Sequence, residues 1–126
     1  MTAVIWVRRV LLAIAAITIV SGAFQLIWPR LVLEAVGAAT SDTSAQCFGT
    51  VGMFMVLFGG GLGQALLRVP NDSLMIGWAT LQKAGAAAAV AVGVARGVFA
   101  PVALLVASFD GATAILGFWY WRRVRS

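Results

Sequence analysis

The chain has 126 residues, of which 62% are hydrophobic and only 10% charged, against roughly 45–50% and about 25% in ordinary soluble domains. A soluble fold of this length has too little interior to hide so much apolar surface, so a polytopic membrane protein embedded in a lipid bilayer is expected. The net charge of +5 does not point to nucleic acid, because the basic residues collect at the ends of apolar runs, and no nucleic-acid partner is expected.

The single cysteine, Cys47, rules out a disulfide within the chain. The absence of histidine removes imidazole catalysis and the commonest metal ligand. Neither a metal nor a cofactor is expected.

Four apolar segments, at about 5–28, 44–67, 74–95 and 101–121, fill most of the chain. Together they predict one transmembrane domain over residues 1–126, an all-α, integral membrane four-helix bundle. The start of the first segment resembles a signal peptide, with Arg8 and Arg9 before an apolar run and Ser21-Gly22-Ala23 as a cleavage-like site. The run continues through Phe24, Leu26 and Ile27 to Trp28, however, which is long enough to span, and it reads as the first membrane helix. Trp6 and Trp28 stand near its ends, where interfacial aromatics gather.

Pro29 breaks that helix. The following Leu31-Val32-Leu33-Glu34-Ala35-Val36 is still apolar and ends at Gly37, which suits either a short interfacial or re-entrant helix or a plain loop. Ser41, Asp42, Thr43 and Ser44 offer N-caps for the second span. That span is rich in glycine, and Gly59 and Gly63 form a G-x-x-x-G spacing that lets two helix backbones approach closely. No Gly-Lys-Ser/Thr follows it, so it is not a phosphate loop.

The link 68–73 leads to the third span, capped by Asp72 or Ser73, whose second half is almost all Ala, Gly and Val. Pro101 opens the fourth span at a position where its missing N–H does no harm. That span closes in Phe118-Trp119-Tyr120-Trp121 and a basic tail. Arg8, Arg9, Arg68, Arg122, Arg123 and Arg125 fall on one face of the bundle, and only Arg30 and Arg96 on the other. The positive-inside bias predicts a protein of the cytoplasmic membrane with both termini in the cytoplasm. Anionic headgroups there suit the basic tail.

Two charges lie within the apolar runs. Lys83 and Asp110 each sit about ten residues from the nearest end of their run, which is about 15 Å into a hydrocarbon core ~30 Å thick. An unpaired ion at that depth costs several kcal/mol, so the two are expected to face inward and meet. Mostly small residues surround both at helical spacing: Ala79, Thr80, Ala86 and Ala87 around Lys83, and Val106, Ala107, Thr113 and Ala114 around Asp110, with Ala103 and Gly117 a further turn away. The pair reads either as a lock on the register of a helix hairpin or as the centre of a polar cavity that binds a ligand or carries a proton. Thr80, Gln82, Ser108 and Thr113 would extend such a cavity, although Gln82 and Lys83 diverge by about 100° around the helix. Gln25, Glu34, Gln46 and Thr50 form a second polar group near the outer surface, read either as a cavity mouth or as ordinary interfacial wetting.

The layout of four short spans, with Gly-Ala-Phe-Gln-Leu-Ile-Trp-Pro closing the first and Gly-Thr-Val-Gly-Met-Phe inside the second, resembles the small DoxX-like four-helix membrane proteins. The resemblance implies the fold and carries over no functional residue.

Three functional readings follow. The first is a membrane protein that binds or transports a small or lipophilic ligand between its helices, centred on Lys83 and Asp110. The second is a structural or accessory subunit that associates through the glycine-rich helix. Either would favour a homo-oligomer or a membrane partner. The third is a membrane-embedded enzyme acting on a lipid-like substrate. It is the hardest to assemble, because only Lys83, Asp110 and Glu34 offer acid–base chemistry.

Overall fold

The computed structural model describes residues 2–125. Among them, five α-helices follow in order: α1 (Thr2–Ile27), α2 (Pro29–Ala35), α3 (Asp42–Leu67), α4 (Ser73–Ala95) and α5 (Leu104–Val124). A 3-10 turn, Pro101–Ala103, leads into α5. The expected first and second helices thus begin earlier, at Thr2 and Asp42, and the last runs on through the aromatic cluster to Val124. The stretch after Pro29 is helical.

Helix α1, helix α3 and the segment Pro101–Val124 are long and apolar enough to cross a membrane. Helix α4, expected as a further span, is not among them: Gln82 and Lys83 stand at its centre, and small Ala and Gly residues fill its second half. Outward faces are apolar along the helices, with Leu57, Leu81, Leu105 and Ile115 all more than half exposed. In water such a surface would be an aggregation hazard.

Local chemistry fixes the helix ends. The Ser41 side chain accepts from the Ser44 backbone N–H at 3.1 Å, and the Ser44 hydroxyl takes the Ser41 N–H at 2.8 Å, closing a reciprocal capping box on α3. Asp72 caps α4 through the Met75 N–H. Helices α2 and α4 each end in a Schellman turn, with Gly37 at φ 70° and Gly97 at φ 73°, a backbone region open to glycine. The two turns are tied together by the Ala100 N–H, which donates to the Val36 carbonyl at 2.7 Å.

At the opposite end of the molecule, donors from α1 and from the loop before α4 satisfy the last carbonyls of α3. Arg8 Nε and Asn71 Nδ2 both donate to Leu66 O, the Asp72 N–H donates to Ala65 O, and Tyr120 OH donates to Asn71 Oδ1. Guanidinium groups lie over indoles at this end, Arg123 over Trp119 at 4.5 Å and Arg125 over Trp121 at 4.9 Å.

Packing is closest between α1 and α3. A Cβ built on Gly22 would lie 2.6 Å from the Gly52 carbonyl oxygen, and one on Gly52 would lie 2.6 Å from that of Gly22. Gly59 continues this seam, its Cβ position 3.1 Å from Ala15 O, and Gly63 faces the Ala15 methyl. The G-x-x-x-G pair therefore packs against α1 of the same chain. Below the seam lies the apolar core: Leu11, Ile14 and Ala15 from α1, Leu62 and Leu66 from α3, Ile76 and Ala79 from α4, and Tyr120 from α5. All of it belongs to the half of the molecule that carries most of the arginines.

Backbone atoms cannot step aside for a methyl group as a flexible side chain can. Gly52→Ala is expected to destabilise the detergent-solubilised protein by about 1–3 kcal/mol. Gly60→Ala, where a Cβ meets nothing within 4 Å, is expected to be neutral or to stabilise by up to ~1 kcal/mol. Thermal unfolding followed by circular dichroism distinguishes the two.

Candidate functional site

One turn beyond the apolar core the interior becomes polar. Lys83 on α4 follows the buried Ala79 at helical spacing, and Thr18 on α1 follows Ile14, so both side chains enter the bundle at the same level. Asp110 reaches in from α5, where the buried residues Asp110, Thr113, Gly117 and Tyr120 recur every three or four positions along one inward stripe. Close helix contact makes this possible: Gly117 lies against Thr80, and the Gly111 Cβ position meets Ala87 at 3.8 Å.

The ammonium of Lys83 donates to Asp110 Oδ1 at 3.1 Å and to Thr18 Oγ1 at 2.8 Å. It also lies 5.6 Å from the centre of the Phe109 ring. Lys83 is 5% exposed and Asp110 8%. Each charge is thus removed from its surroundings and compensated by the other, and three helices are joined at one point. A buried pair of this kind gains little net stability over apolar residues of the same volume, whereas removing one partner strands the other charge.

The pair has hydrogen-bonding capacity to spare. Two of the three ammonium N–H groups are engaged, and Asp110 Oδ2 has no partner among the described residues. Among the described residues no side-chain nitrogen or oxygen is both fully enclosed and unpartnered, so this second oxygen faces open space. Asp110 borders a half-open cavity of about 150 Å³ between the helices, with Gln25, Val36, Met55, Gln82, Phe99 and Val106 among its walls. A groove of about 560 Å³ between α1 and α5 reaches the same two charges from the side.

Gln25 belongs to this site and not to the outer polar group in which its position had placed it. It is 7% exposed, its amide donates to Phe48 O at 2.9 Å, it borders the cavity, and its side-chain oxygen has no partner among the described residues. Gln46 and Thr50 instead flank a shallow surface depression beside Arg30 and Asp42, which form an exposed ion pair, and Thr50 donates to Gln46 O. Glu34 is exposed on α2 and borders neither space. The four residues therefore do not form one mouth. The physical reason is the crossing of α1 and α3 at Gly22 and Gly52, which turns Gln25 inward between the helices.

Of the residues expected near the pair, Gln82 lines the cavity beside Lys83 without bonding to it. The hydroxyls of Thr80 and Thr113 donate back to their own helices, to Ile76 O and Phe109 O, each at 2.8 Å. Thr18 takes the role expected of them. Its available signal was its place as the only polar residue between positions 10 and 20, at the depth of Lys83. Cys47 is exposed and lies away from the pair, and no group of three His, Cys, Asp or Glu side chains that would hold a metal occurs among the described residues. No family model, curated protein or solved structure matches the chain.

Breaking the pair from one side is expected to cost about 3–5 kcal/mol in either Lys83→Met or Asp110→Leu, with most of the loss recovered when both are combined. Unfolding of the four proteins of this double-mutant cycle in mixed micelles measures it. Additive single losses would mean that the two charges do not depend on each other.

Proposed function

We propose that this chain is a small integral membrane protein of the four-span, DoxX-like layout that binds a small lipophilic ligand beside Lys83 and Asp110. The observation that carries the reading is the unused donor and acceptor capacity of a buried ion pair that borders a cavity. A pair serving only as a register lock has no need of open space at its side, and a polar group facing a cavity inside an apolar protein has use for a partner.

Helix α4 is the fourth span in this reading. Its average hydropathy is lowered by Lys83, but averaging treats every residue as though it met lipid, and the Lys83 side chain is enclosed. The distribution of arginines supports cytoplasmic termini in a cytoplasmic membrane. The cavity lies in the half away from the arginine-rich end, and the closed packing of Leu66, Ile76 and Tyr120 beneath it favours binding over passage across the membrane. The alternative of an accessory subunit joined through the glycine-rich helix has less support, because α1 already occupies the Gly52 and Gly59 face.

Two measurements test the proposal. Asp110→Asn keeps the size of the side chain and removes its charge, with the stability loss expected for a pair broken from one side; the protein that remains folded by circular dichroism is expected to lose bound lipophilic material by native mass spectrometry, where the wild type retains it. A wild type free of bound small molecules that also takes up none from lipid extract would refute the ligand reading. For orientation, Cys47 serves as a native reporter at the outer end of α3. A membrane-impermeant maleimide is expected to label it in intact cells, whereas Arg68→Cys in a Cys47→Ser background is labelled only after lysis; the reverse pattern would invert the topology.

A further inference from the structure

The groove between α1 and α5 bears on which molecules the site takes and how they reach it. Resting on the ligand reading above, we infer that the site receives the polar head of a neutral amphiphile, which enters sideways from the bilayer between α1 and α5.

Helix α1 packs chiefly on α3 and α5 on α4, so the two pairs meet lightly both at α1 with α5 and at α3 with α4. The side where a groove reaches both charges is the one between α1 and α5. The opening between them is rimmed by apolar side chains, among them Val20, Phe24, Leu105 and Phe109, with Val20 68% and Leu105 72% exposed. Its floor is polar: Thr18, Gln25, Lys83 and Asp110. Six residues, Gln25, Val32, Met55, Lys83, Val106 and Asp110, border both the groove and the central cavity, so a molecule in the groove already touches the wall of the cavity. The apolar core blocks approach from the arginine-rich end. An apolar rim over a polar floor suits a molecule with a tail and a head.

Charge selects the head. Whichever of Lys83 and Asp110 holds their shared proton, the pair sums to zero. A ligand bringing a net charge would leave that charge uncompensated at low dielectric, a penalty of several kcal/mol that a neutral head avoids. The free groups are one Lys83 N–H, the second Asp110 oxygen and the Gln25 side-chain oxygen, which call for a head that both donates and accepts. The cavity of about 150 Å³ equals the volume of about five waters, enough for a head of a few heavy atoms such as a glycerol ester. The chain would remain in the groove against Phe24, Leu105 and Phe109.

The test uses the full-length protein in nanodiscs of zwitterionic lipid and three photoreactive probes with the same diazirine-bearing chain: a 1-monoacylglycerol, a fatty carboxylate and an alkyltrimethylammonium. Labelled peptides are mapped by mass spectrometry, with unlabelled monoacylglycerol as competitor. The monoacylglycerol is expected to label residues 17–25 and 105–110 saturably, with at least about tenfold preference over both ionic probes. Val20→Trp combined with Leu105→Trp, at exposed rim positions where folding is not at stake, should reduce that labelling about tenfold. Leu105→Trp alone carries the same expectation if the pair proves poorly expressed. Stronger labelling by an ionic probe, or labelling indifferent to the rim substitutions, would overturn this inference and leave the ligand reading standing. Saturable labelling by none of the three would overturn both.

Discussion

The ion pair of Lys83 and Asp110 constrains nearly everything around it. Two charges on different helices, each far from either end of an apolar segment, have one inexpensive arrangement, which is contact with each other away from lipid. Contact at 3.1 Å requires α4 and α5 to lie close, and they do so because the facing positions are small: Gly117 against Thr80, Gly111 against Ala87. Thr18 then draws α1 to the same point. Had any of these positions carried a bulky side chain, the charges would be held apart, and each would have to find water or remain stranded. The small-residue composition of α4 and the polarity of the site are thus one feature.

The two halves of the bundle are built to different standards. Toward the arginine-rich end, large side chains interdigitate, Leu11, Leu66, Ile76 and Tyr120 are almost wholly enclosed, and the last carbonyls of α3 are met by Arg8, Asn71 and Asp72. Toward the other end the helices are held by backbone contact at Gly22 and Gly52, one amide bond from Gln25, and two turns joined at Ala100. These contacts fix position but fill little space. The cavity is the outcome: glycine and alanine bring backbones together, yet where helices diverge they leave volume that no side chain occupies. The ion pair lies on the boundary, with packed hydrocarbon on one side and open space on the other.

How far this was legible in the sequence depends on how costly each group is to misplace. Ionised side chains in an apolar run have so few permitted environments that Lys83 and Asp110 could be paired from depth alone. Thr18 was not foreseen, because a threonine in a helix can satisfy its hydroxyl against its own backbone, as Thr80 and Thr113 do, and its position therefore says little about its partner. Gln25 was grouped with Gln46 and Thr50 because all lie near chain breaks. Nearness to a helix end fixes depth but not direction, and direction came from the crossing of α1 and α3. The glycine pattern announced a close helix contact but not with which helix. Gly22, outside the G-x-x-x-G spacing, proved to be half of the tightest approach.

Helix α4 shows why average hydropathy is weakest as a guide in a helix that supplies a buried polar site. A span consisting only of lipid-facing and packing residues has a high average hydropathy and nothing to offer a ligand. A helix that encloses a polar cluster must carry polar groups, and these lower its average. Lys83 and Gln82 do this in α4, while the following alanines and glycines, chosen by the closeness of α5, add less apolarity than leucine would. Low hydropathy and high burial in one helix are therefore not in conflict. Their coincidence at Lys83 marks a level where the interior is polar, borders a cavity and is linked to three helices at once.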